Sequence, residues 1–150
     1  MKRIVLTAAT AALLAGATPA FAADADAVVE HRKDVMGVAG AGMGAIGCFM
    51  KGDCELDGKV LAHLAEAIAF SAEMSIPAFK DPAQGASVKH TSDPAIWENW
   101  DKFEGGLKKM AEAADKLAVA AKDADRKAMG PLVKDLGGTC KGCHDDFRTK

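Results

Sequence analysis

Tyrosine is absent from this 150-residue chain, aromatic residues make up only 5%, and no run rich in Val, Ile or Thr alternates with polar residues at period two. Little is left from which to build a sheet, so an all-α fold is predicted. Long apolar runs are also missing. The stretch from Ile4 to Ala17 is about 14 residues, short of the ~20 that a membrane-spanning helix needs. Basic clusters are wanting too: the formal charge is −2 and grows more negative once Lys2 and Arg3 are removed, which argues against nucleic acid as a partner. No internal repeat or low-complexity segment follows the first 22 residues.

What is present begins with an export signal. Lys2 and Arg3 precede the apolar run, and Pro19-Ala20-Phe21-Ala22 forms a small-x-small cleavage pattern, so residues 1–22 read as a signal peptide. Residues 23–150 then make one domain with one modest core. Export carries the four cysteines into an oxidising compartment, where disulfides, haem thioethers or metal bonds are the usual fates of a thiol.

Four amphipathic segments follow. Val29, Arg32, Met36, Ala39, Met43, Ile46 and Met50 recur at steps of three and four, a helix seam over about 25–51. A second helix runs from about Asp57 to Ser75, with Pro77 ending it. Residues 77–93 show no period and read as one long loop. Asp93 and Pro94 open a third helix as N-cap and first helical residue, with Ile96, Trp100, Phe103, Leu107, Met110, Ala114, Leu117 and Ala121 on its seam. The fourth runs from about Asp125 to Arg148, where Gly130-Pro131 is a candidate kink. Short links between the first and second and between the third and fourth predict an antiparallel four-helix bundle.

The chemistry sits in Cys140-Lys141-Gly142-Cys143-His144, the C-x-x-C-H signature of haem attachment. Two thiols must reach two vinyl groups on one porphyrin edge while the imidazole of His144 comes under the iron. Steps of three and four put all three on one side of a helix. A thioredoxin-like C-x-x-C would instead stand near the start of a helix in a βαβ context. Zinc would need a fourth ligand or a water, and His31, His63 and His90 show no paired ligand spacing.

The segment Gly137-Gly138-Thr139-Cys140-Lys141-Gly142-Cys143-His144-Asp145-Asp146-Phe147-Arg148, with Arg32-x-x-x-Met36 near the start and Ile96-Trp97, Trp100 and Phe103 in the third helix, resembles the class II c-type cytochromes, the cytochrome c' group and its low-spin relatives. The resemblance implies a periplasmic four-helix bundle with one covalent haem c near the C-terminal end of its last helix. It also implies a homodimer formed through the first two helices, and a role in electron transfer or in binding small gases.

Bundle order places the haem at the end shared by the start of the first helix, the end of the second, the start of the third and the end of the fourth. There Ile96, Trp97 and Trp100 are expected to wall the haem, and Arg32, charged on an apolar seam, to meet a propionate. Arg148 matches a family position on the His144 side. Met36 decides the function. As a second axial ligand beside His144 it would make a low-spin one-electron carrier, the outcome its resemblance to low-spin members favours. As a mere cover it would leave a five-coordinate, high-spin iron open to nitric oxide or carbon monoxide.

The expected partners are periplasmic or membrane-bound redox proteins and, during maturation, the haem-attachment machinery; turnover of a substrate is not expected. Cys48 and Cys54, at the first turn, can form a small staple if Gly52 folds the chain back, or stay as two thiols. His31 and His90 read as surface residues.

Overall fold

Aspartates open three of the long helices in the computed structural model, which describes residues 24–150; the signal expected over 1–22 lies outside the described residues. Asp24 accepts from the Asp26 N–H at 3.0 Å and caps α1 (Ala25–Lys51). Asp57 accepts from the Val60 N–H at 2.9 Å and caps α2 (Gly58–Ala78). Asp125 accepts from the Lys127 N–H at 2.8 Å and caps α5 (Arg126–Phe147). Each satisfies a donor that the first helical turn would leave unpaired. Gly52, at φ +80°, ends α1 in the left-handed conformation that a residue without a Cβ adopts freely.

The third rod departs from expectation. In place of one helix it is a single turn, α3 (Ala95–Glu98), followed by α4 (Trp100–Ala121), with Asn99 at φ −128°, ψ 47° between them. The Asn99 side-chain amide and backbone N–H both donate to the Ala95 carbonyl, at 3.2 and 2.9 Å, which closes the short turn, a local competition typical of asparagine. Asp93 still starts it, accepting from the Ala95 N–H at 2.9 Å. α2 passes through Pro77 and stops one residue later. Pro131 stands inside α5 without ending it.

Among the described residues these five helices make a four-rod antiparallel bundle, with one isolated bridge, Ser92 to Arg148, and no strand. α1 packs on α2, α2 on α4 and α4 on α5. The main core gathers Ile46, Leu61, Ile68, Leu117, Met129 and Leu136. A second cluster fills the other end with Val35, Phe79, Ile96, Phe103, Leu107 and Phe147. None of the described helices is long and apolar enough to cross a membrane.

The seam of α1 splits in two. Val29, Arg32, Val35, Ala39, Gly42, Ile46 and Phe49 are buried, while Met36, Met43 and Met50 are only half-buried on the adjoining stripe. Gly42 belongs to the buried stripe because α2 comes close: a Cβ there would stand 2.8 Å from Ile68 Cγ1. At the far turn Cys48 and Cys54 are joined by a disulfide, Cα to Cα 5.6 Å.

Candidate functional site

α1 and α5 stand apart at the end holding the second cluster, and a cavity of about 560 Å³ lies between them, within the ~300–1,000 Å³ of most ligand pockets. α1 contributes Val29, Arg32, Met36, Gly37, Gly40 and Met43; α4 contributes Phe103, Leu107 and Met110; α5 contributes Gly137, Cys140, Cys143, His144 and Phe147, and Arg148 follows directly after it.

Register explains how Met36 meets His144. A Cβ on Gly130 would lie 3.9 Å from Met50 Cε, and one on Gly137 would lie 4.0 Å from Met43 Cε. Two turns of helix advance about seven residues, so the antiparallel ladder that pairs Met50 with Gly130 and Met43 with Gly137 brings Met36 opposite His144. Both line the cavity.

Cys140 and Cys143 are free thiols, each half-buried. Burial raises the pKa of the Cys140 thiol and pushes that of Cys143 up to about 11, with Cys140 and Asp146 adding to the second effect. A thiol-exchange centre needs the opposite shift and a place at the start of a helix, whereas both thiols lie toward the C-terminal end of α5. Burial, and then the charge of Arg148, lowers the pKa of His144. Its imidazole therefore favours the neutral form that binds a metal.

Arg32 is 2% exposed. Nε donates to the Ala78 carbonyl at 3.2 Å and Nη2 to the Asp81 carbonyl. The guanidinium carbon lies 5.2 Å from the centroid of Phe79 and 5.1 Å from that of Trp97. Nη1, equally buried, has no hydrogen-bond partner among the described residues. A buried cationic N–H without an acceptor is costly, so a missing anion is implied beside the cavity.

Trp97 and Trp100 do not line the cavity, contrary to expectation. The break at Asn99 turns both toward other partners: Trp97 donates from Nε1 to the Phe79 carbonyl at 2.8 Å, and Trp100 donates to Glu104 at 2.8 Å with Lys80 Nζ 3.9 Å above its ring. Phe79, Phe103 and Leu107 form the wall instead. His90, read as a surface residue, is exposed yet lines the cavity with Thr91 and Ser92. That loop is stitched to the residues after the haem motif. The Thr149 N–H donates to the Thr91 carbonyl at 2.9 Å, the Asp93 N–H to the Phe147 carbonyl at 3.0 Å, and Arg148 Nε to Thr91 Oγ1 at 3.2 Å. A loop without periodicity carries no signal from which this contact could be read.

The residues fit a haem. Two thiols and an imidazole come from one edge, the orphaned Arg32 Nη1 awaits a carboxylate, and the walls are otherwise mainly apolar. Gly37 and Gly40 line the cavity, and a Cβ on either would meet nothing within 4 Å, leaving room for a flat ring against the α1 backbone.

Known proteins agree. The family model described as Cytochrome C' matches residues 27–148. Cytochrome c' of Rhodospirillum rubrum is 40% identical over 148 residues, 99% of each chain. That of Pararhodospirillum photometricum is 38% identical over 126 residues, 84% of this chain and 99% of its own. Among solved structures, a nitric oxide complex of a cytochrome c prime mutant from Alcaligenes xylosoxidans shares the fold with a TM-score of 0.71, at 22% identity, covering 85% of this chain and 98% of its own. The expectation of a low-spin electron carrier, with His144 and Met36 both bonded to iron, is overturned by the relatives at 40% and 38% identity, which are cytochromes c'. Relatives at 34–40% identity are cytochromes c', and cytochromes c-556 and c-554 follow at 30–32%. A thioether on the cavity wall can shield a metal without bonding to it.

Proposed function

The chain belongs to the cytochrome c' family and binds one covalent haem c, and we propose that it is a gas-binding haem protein with His144 as the single protein ligand on the iron. Cys140 and Cys143 hold the haem through thioethers. A haem held there would supply the iron at which nitric oxide or carbon monoxide would bind. Met36, opposite His144, would cover the iron, and Val29, Ile96, Phe103 and Leu107 line a mainly apolar cavity that suits a neutral diatomic. Arg32 meets a propionate with its free Nη1, and Arg148 ties the His144 turn to the 90–92 loop.

The observation that carries this reading is the apolar cavity that keeps α1 and α5 apart where Met36 comes opposite His144. It is tested by the optical spectrum of the ferrous protein. A broad high-spin spectrum that sharpens and shifts with carbon monoxide is expected; a sharp low-spin α band unmoved by carbon monoxide sinks the proposal.

The protein works in the periplasm after loss of residues 1–22, where the haem-attachment machinery loads it and a redox partner keeps its iron ferrous. It binds rather than turns over its ligand. It pairs with a second copy through α1 and α2, where Val38 and Phe70 are exposed at 46% and 62% and lie within a turn of the Ser71 to Val35 hydrogen bond between these helices. Sedimentation at micromolar concentration should show twice the chain mass.

A further inference from the structure

Arg32 is held on every side but one. Its Nε and Nη2 are tied to the carbonyls of Ala78 and Asp81, its guanidinium carbon lies over the rings of Phe79 and Trp97, and only Nη1 is unpaired. Trp97 acts on this arrangement twice. Its ring centroid lies 5.1 Å from the guanidinium carbon, and its indole N–H donates at 2.8 Å to the carbonyl of Phe79, which lies within the same stretch of backbone, 78–81, that Arg32 grips. Trp97 itself is absent from the cavity wall.

An arginine side chain carries ~2 kcal/mol of rotamer entropy, and two carbonyl acceptors with two aromatic neighbours remove much of that freedom before any ligand arrives. Lysine would not substitute, because an ammonium has neither the planar face for two rings nor the fork for two carbonyls and a third acceptor. We infer that Trp97 is a positioning residue: it fixes Arg32 so that the free Nη1 serves the haem, and through that charge it tunes the reduction potential of the iron. The inference rests on the haem site proposed above.

A cation held near the haem, neutralising a propionate, favours the ferrous form. Releasing Arg32 to solvent weakens that effect in proportion to the loss of position, with no change at the iron's own ligand. Trp100 is the matched control. It is also half-buried in the second cluster, but it stacks under Lys80 and bonds Glu104, not Arg32.

The test measures the reduction potential of the haem-loaded protein. Arg32→Met should shift the ferric–ferrous equilibrium toward ferric by roughly three- to tenfold, and Trp97→Leu should give at least half that shift. Trp97→Phe, which keeps a ring over the guanidinium, should recover most of it, and Trp100→Leu should leave the potential in place. In the Arg32→Met background, Trp97→Leu should add nothing. If the two shifts add, or if Trp97→Leu lowers only the Tm, Trp97 is a packing residue and the inference fails. If Arg32→Met does not move the potential, the haem-facing role of Arg32 fails first, and the inference falls with it.

A measurement on the unaltered protein stands apart from folding of the variants. In the ferrous carbon monoxide form, the Arg32 Nε–H resonance should be ring-current shifted and slow to exchange with solvent. A resonance that exchanges like that of a free arginine overturns the clamp.

Discussion

Met36 can be tested by a single change of element. Leucine is close to methionine in volume and has no sulfur, so Met36→Leu should cost less than about 1.5 kcal/mol of stability and leave the ferrous spectrum high-spin, while altering the affinity for carbon monoxide severalfold. Conversion from a low-spin to a high-spin spectrum would show that the sulfur had been bonded. The haem-binding residues themselves were legible by eye, because C-x-x-C-H is contiguous. Arg32 was legible as an oddity, a charge on an apolar seam. His90 was not: it is fixed by no local pattern, and it reaches the cavity only because Thr91 and Asp93 bond to Thr149 and Phe147 from across the bundle.

Single elements differ in how they tolerate substitution. Along α1, Gly42 faces Ile68, whose Cγ1 would stand 2.8 Å from a new Cβ, whereas Gly44 has nothing within 4 Å. Gly44→Ala should therefore stabilise by about 0.5–1 kcal/mol through helix propensity, and Gly42→Ala should destabilise by about 1–3 kcal/mol through overpacking against α2; thermal unfolding of the pair decides it. The 80–93 loop is anchored to α1 by Asp26, whose carboxylate accepts from the Ser87 hydroxyl, the Ser87 N–H and the Val88 N–H. These bonds hold its pKa below the ordinary 3.8. A depressed carboxylate contributes stability that is complete above the unfolded value and is lost as the pH falls through the folded one. Asp26→Ala should thus lower the Tm by a few degrees at pH 7, and the gap should close as the pH drops below about 3.8. The long helices were legible from their steps of three and four. The break at Asn99 was not, because the seam from Ile96 to Ala121 runs across it without losing phase.

At the scale of the whole molecule, the two ends of the bundle serve different ends. The cavity lies with the second apolar cluster, and the Cys48–Cys54 disulfide closes the turn at the other end. A loop of this length constrains the unfolded chain by about 2 kcal/mol. Replacing both cysteines by serine should cost about that much stability and leave the ferrous spectrum unchanged; a spectral change would show that the ends are coupled. By itself, the sequence determined the helices, the contiguous haem motif and the end of the bundle where the cavity lies, because periodicity and chain order are local properties. Which residues the cavity collects was decided by the tertiary structure. A period tells which side of its own helix a residue occupies, not which neighbour it meets, so the turning aside of Trp97 and Trp100, the arrival of His90 and the single unpaired nitrogen of Arg32 emerge only when every element is packed.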